Sequence, residues 1–128
     1  MTSTAQTTVL VVEDDQDIAD GMAGLLEEEG FRVLCAGNGA EALAKLRQDG
    51  SVQLILLDLT MPVMSAAEFR AQQSRDAAIA KIPVLLLSAG LDVAHQAKVL
   101  GAAGYISKPF KPPVLIESMR RLTSELPS

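Results

Sequence analysis

Short runs of consecutive aliphatic residues alternate along this chain with longer stretches whose apolar positions recur at helical spacing. The unbroken runs Val9–Val12, Leu54–Leu57 and Val84–Leu87 predict strands buried on both faces of a parallel sheet. Phe31–Cys35, which Arg32 interrupts, and the short Tyr105–Ile106 predict the second and fifth strands. A first helix is expected from Gln16 or Asp17, with Ile18, Met22, Leu25 and Leu26 inward and Gly30 as its stop. After a Gly37-Asn38-Gly39 turn, Ala40–Gln48 predicts a second helix with Ala42, Leu43 and Leu46 inward. Ser65 and Glu68 have the spacing of a capping box for a third, whose apolar face is thin: Ala66, Phe69 and little else. Asp92 opens a fourth, with Val93, Ala97 and Leu100 inward. Pro112 and Pro113 begin the last, with an inward stripe of Val114, Leu115, Met119, Leu122 and Leu126.

Five strands alternating with five helices predict an α/β fold: a doubly wound five-stranded parallel sheet, order 2-1-3-4-5, with helices on both faces. Residues 1–7 are expected to be a flexible lead-in, 8–126 the domain, and 127–128 a tail. At 128 residues the chain is sized for a single core, which must be aliphatic because only 3% of residues are aromatic and there is no tryptophan. The net charge of −5 argues against a nucleic-acid surface in this domain. One cysteine, Cys35, excludes an intrachain disulfide, and the lone His95 offers no zinc site. No apolar run approaches the length of a membrane span, and Met1–Thr8 has no signal-peptide pattern, so no membrane association and a cytoplasmic location are expected.

The predicted strands end in distinct chemical groups. Asp14 and Asp15 follow the first, Asp58 the third, Ser88 the fourth and Lys108 the fifth. In such a fold these ends face one crevice. Clustered carboxylates call for a cation, and oxygen ligands without histidine favour a hard one, Mg²⁺ above all. A nucleophilic carboxylate beside Mg²⁺, a lysine and a hydroxyl describes a phosphoryl-transfer site in which Asp58 accepts the group as an acyl phosphate. Singly, each group has a plainer reading. Asp14 and Asp15 suit a helix N-terminus, Asp58 a strand-end turn, Ser88 a loop, and Lys108 a solvated charge; their register together favours the site.

The ordered set Val11-Val12-Glu13-Asp14-Asp15, Leu56-Leu57-Asp58-Leu59-Thr60-Met61-Pro62, Leu87-Ser88-Ala89, Gly101-Ala102-Ala103-Gly104-Tyr105 and Ser107-Lys108-Pro109-Phe110 resembles the CheY-like receiver domain of bacterial two-component response regulators. The resemblance runs from about Val9 to Leu126. It implies that Asp58 is phosphorylated, that Asp15 binds magnesium directly and Asp14 through water, and that the Thr60 carbonyl is a third protein ligand. It further implies Ser88 as the switch hydroxyl, Lys108 as the invariant lysine, Tyr105 as a rotamer switch, and a cis Lys108–Pro109 bond. Its partners would be a sensor histidine kinase or histidine phosphotransfer domain, and a downstream protein or tethered output domain. The surface of the fourth helix, fifth strand and fifth helix would carry the output.

Two departures stand out. Ser65-Ala66 replaces the family's usual Asp-Gly, and Ser88 its commoner threonine. With small Thr60 and Gly90 beside the acceptor, self-dephosphorylation is expected to be quick. No DNA-binding or catalytic domain is expected after Leu126 in these residues, and either a single-domain regulator or a receiver cut from a longer protein is expected. Two rivals remain at this stage. A magnesium-dependent phosphohydrolase would need a second acid where Thr60 stands, and a cap for which there is no room. A phosphate-independent interaction domain would not need the full acceptor set.

Overall fold

The computed structural model describes residues 6–59, 66–90 and 92–124. Its elements are β1 Thr8–Val12, α1 Gln16–Glu28, β2 Arg32–Ala36, α2 Gly39–Gln48, β3 Val52–Asp58, α3 Ala66–Arg75, β4 Val84–Ser88, α4 Val93–Leu100, β5 Gly104–Ser107 and α5 Pro112–Ser124. The strands pair in parallel in the order β2-β1-β3-β4-β5, as the alternation of runs predicts. Parallel strands need crossovers; α1, α2, α3 and α4 supply the four between successive strands, and α5 packs on the sheet after β5.

Side chains alternate between the two faces along each strand. Leu10, Val12, Ile55, Leu57, Val84 and Leu86 join one core cluster with residues of α2, α3 and α4. Val9, Val11, Leu54, Leu56, Leu85, Leu87 and Ile106 join the other with Leu26 of α1 and Leu115, Ile116 and Met119 of α5. Leu54 through Leu57 are all fully buried. Each such side chain contributes roughly 1.5–3 kcal/mol through its burial.

Two helix stripes differ from the sequence expectation. Ile18 is 48% exposed, and α1 instead buries Ala19 and Leu26. Val114 is 50% exposed, while its neighbours Leu115 and Ile116 are buried. Both residues lie in the first turn of a helix that starts beyond the sheet's carboxyl edge, where there is no strand to cover them. Ser65 and Leu126 lie outside the described residues. On α3 the thin apolar face is completed by a polar residue, Gln73, which is as fully buried as Phe69.

Candidate functional site

Side-chain alternation carries on past the ends of the strands. Val11 and Leu56 share the α1/α5 face, so two residues further on Glu13 and Asp58 turn to that face, and Lys108 follows Ile106 onto it. The backbone at Glu13 is still strand-like, with its N–H donating to the carbonyl of Ala36 at 3.0 Å. Val12 pairs with Leu57, so the next step along the two strands sets Glu13 beside Asp58. Lys108 is brought in by β5, its own N–H donating to the carbonyl of Ser88 at 2.8 Å. The Lys108–Pro109 bond is cis, as expected.

Asp58 is 2% exposed and Glu13 6%. The ammonium of Lys108 lies 2.5 Å from Asp58 Oδ2 and 4.0 Å from Glu13 Oε1. Burial, followed by a hydrogen bond with the Asp58 carboxyl, pushes Glu13 up to about 7. The amide N–H of Asp15, donating to Glu13 Oε2 at 3.2 Å, works the other way. Two desolvated carboxyls around one ammonium cannot both ionise cheaply, so the pair holds a proton near neutrality.

Asp14 is exposed and its carboxyl hydrogen-bonds that of Glu13. Asp15, expected as a magnesium ligand, lies at the start of α1. Its Oδ1 accepts from the N–H groups of Asp17 and Ile18 at 3.0 and 3.1 Å, which makes it the N-cap of α1. The unpaired N–H groups at a helix start take the nearest carboxylate. The acid beside Asp58 and Lys108 is therefore Glu13, not Asp15. Sequence reasoning missed Glu13, although strict alternation from Val9 and Val11 points to it. The two residues expected to act as a switch, Ser88 and Tyr105, occupy different settings. Ser88 is buried at the end of β4, and its hydroxyl accepts from the Gly90 N–H at 3.0 Å. Tyr105 is 49% exposed on edge strand β5. Thr60 lies outside the described residues.

The donor set suits a hard cation. Glu13, Asp14 and Asp58 offer only oxygen, and the raised affinity of Glu13 for a proton marks a site short of positive charge. Among the described residues, no three His, Cys, Asp or Glu side chains are gathered tightly enough to cage a metal alone. Mg²⁺ does not need such a cage, because it keeps several waters and takes one or two carboxylates.

A family model, the response regulator receiver domain, matches residues 9–120. The chain belongs to that family. This receiver is 35% identical over 114 residues to the sensory transduction protein RegX3 of Mycolicibacterium smegmatis, covering 89% of the chain and 49% of that protein. It superposes on the chemotaxis protein CheY4 of Vibrio cholerae with a TM-score of 0.83 at 31% identity, over 92% of this chain and 99% of the other. The receiver domain of sensor histidine kinase PA1611 from Pseudomonas aeruginosa, described with a magnesium ion coordinated in its active-site cleft, shares the fold with a TM-score of 0.86 at 23% identity, covering 94% of this chain and all of that one (100%).

The chain spans about half the length of the curated relatives it matches. It is a receiver of two-component systems rather than a member of a classical enzyme family. Among the described residues, no helix is long and apolar enough to cross a membrane.

Proposed function

We propose that this receiver accepts a phosphoryl group on Asp58 from the phosphohistidine of a sensor histidine kinase or a histidine phosphotransfer domain. The observation that carries the reading is the Lys108 ammonium, 2.5 Å from a buried Asp58 carboxylate at the sheet's carboxyl edge. An Asp58 oxygen attacks phosphorus, an O–P bond forms, the N–P bond breaks, and the imidazole leaves with the bonding pair. Lys108 is placed to follow the charge from the carboxylate onto the phosphoryl oxygens. The Ser88 hydroxyl accepts from Gly90 in this state, so its own proton is available to a phosphoryl oxygen. Glu13, Asp14 and Asp58, with the carbonyl of Thr60, are the residues that would hold Mg²⁺. When bound, the ion offsets negative charge among the acids and on the transferred group.

On this reading the domain catalyses only its own phosphorylation and dephosphorylation. The exposed position of Tyr105 suits the resting end of a rotamer switch. The acidic balance favours protein partners over nucleic acid for this domain, whatever an output domain binds, and a cytoplasmic setting suits a kinase donor.

The test is incubation with acetyl phosphate and Mg²⁺ followed by intact-mass measurement. A hydrolytically labile mass increment is expected in the wild type, absent from Asp58→Asn and absent with excess EDTA. An increment that survives in Asp58→Asn would overturn the assignment. So would no increment in the wild type, which would favour a phosphate-independent interaction domain, or turnover of added phosphoesters, which would favour a hydrolase.

A further inference from the structure

The turn that leaves β4 is shaped by a residue with no side chain. Gly90 is exposed and donates its N–H to Ser88 Oγ at 3.0 Å. A Cβ at position 90 would lie 3.2 Å from that hydroxyl oxygen, closer than side-chain carbons ordinarily pack. It would also lie 3.8 Å from Oε1 of Gln96, which reaches over from α4. The glycine therefore leaves a gap beside Ser88, and a carboxamide stands at its rim.

The fold aims Gln96 at this gap. Val93 and Ala97 are buried and seat α4 on the sheet, which leaves Gln96, between them, on the exposed flank. Its N–H donates to the carbonyl of Asp92 at 3.0 Å, within the first turn of the helix. Helical side chains lean toward the amino end of their helix. The amino end of α4 follows β4, so the lean carries the amide toward the carboxyl edge of the sheet. Ser88 and Asp58 stand there on adjoining strands. Among the described residues, the Gln96 amide makes no hydrogen bond.

We infer that Gln96 positions the water that hydrolyses the acyl phosphate, in the space that Gly90 leaves open. This rests on the reading of Asp58 as acceptor. The water oxygen attacks phosphorus from the side opposite the Asp58 oxygen, and an O–P bond forms. The bond from phosphorus to Asp58 breaks, and its electron pair returns to the carboxylate. The proton of the water leaves on inorganic phosphate. A loose transition state of this kind asks for little covalent help, so holding the water in line is what a side chain can contribute. A carboxamide suits the task, because its oxygen accepts from the water while its N–H groups can donate to a phosphoryl oxygen. It also adds no charge to a site already crowded with acids. A side chain at position 90 would fill the path and press on the Ser88 hydroxyl; glycine leaves both in place.

The experiment labels the full chain with acetyl phosphate and Mg²⁺, removes the donor by rapid desalting, and follows loss of the mass increment with Mg²⁺ still present. Gln96→Met keeps the length and bulk of the side chain without its amide. It should lose the label about tenfold more slowly than wild type, the effect of one missing hydrogen bond. Its labelling rate should change far less than its loss rate, a split that a general loosening of the fold would not produce. His95→Met, one residue away on the same exposed helix surface, should match wild type. An unchanged lifetime in Gln96→Met would overturn the inference. Faster loss would do so too, since the amide would then be a lid that keeps water out, as would His95→Met slowing the loss equally. A wild type that takes no label would overturn the acceptor reading and this inference with it, whereas equal lifetimes on a labelled Asp58 overturn this inference alone.

Discussion

The two buried polar clusters of this receiver have opposite electrostatic balances. Around Gln73, the Arg70 guanidinium meets an amide oxygen and a main-chain carbonyl, and the amide's donors meet two more carbonyls. No acid takes part in those bonds, and both the amide nitrogen and the amide oxygen of Gln73 are satisfied. A network of that kind adds rigidity and is insensitive to pH near neutrality. Around Asp58, two carboxyls face one ammonium, and Glu13 is driven toward its protonated form. That cluster falls short of positive charge, so an arriving cation changes its state. Completeness marks the first as scaffold; the deficit marks the second as a site.

Deepening the deficit should have the largest effect. Lys108→Met leaves Asp58 and Glu13 facing each other without their ammonium. Removing one partner from a buried ion pair typically costs several kcal/mol. Lys108 is partly exposed and protonation relieves the acids, so about 3 kcal/mol is expected from the metal-free protein at pH 8, and less at pH 5. Urea denaturation at the two pH values measures it. Acetyl-phosphate labelling should fall about a hundredfold in the same variant. By contrast, any stability lost in Arg70→Met should be the same at both pH values. A pH-independent loss in Lys108→Met would erase the distinction between the clusters.

Glu13 gives a smaller and more diagnostic effect. Its folded value of about 7 lies above the 4.5 of an ordinary glutamate, so the folded state binds the proton more tightly. The associated stability is fully present below about 4.5 and is lost as pH rises through about 7. The metal-free wild type should therefore weaken by on the order of 2 kcal/mol between pH 4.5 and pH 8. Glu13→Gln should flatten most of that slope, and saturating Mg²⁺ should reverse it by favouring the ionised acid. A wild-type curve already flat without metal would show that Lys108 balances both carboxyls after all.

Most of the fold could be read from the sequence because parallel strands buried on both faces leave an unmistakable run, as at Leu54–Leu57, and the crossovers must fill the spaces between. Asp58 and Lys108 could be read because each stands directly at the end of such a run. What escaped depended on side-chain direction. Ile18 and Val114 have the right spacing for a core stripe but sit in first turns beyond the sheet edge. Gln73 has no apolar signature, and its burial is compensated by carbonyls of a turn that composition does not reveal. Glu13 was passed over for two more exposed acids, because counting charges after β1 ignores which face each one takes.

The smallest effect sharpens that last point, since it separates a cap from a ligand. Asp15 bonds two N–H groups at the start of α1, and losing such a cap costs typically about 1 kcal/mol. Asp15→Ala should be destabilised by that amount with or without Mg²⁺, while Asp15→Ser, which keeps a capping oxygen, should be close to wild type. With no tryptophan to report binding, Mg²⁺ affinity is best followed by amide shifts. It should be unchanged in Asp15→Ser and about tenfold weaker in Asp14→Ser, the change of a single charged oxygen ligand being worth roughly 1.4 kcal/mol. If Asp15→Ser weakened Mg²⁺ as much as Asp14→Ser, the Asp15 carboxylate would have to leave the helix for the ion. The acid pair above β3 would then be Asp14 and Asp15, and Glu13 only a buried neighbour.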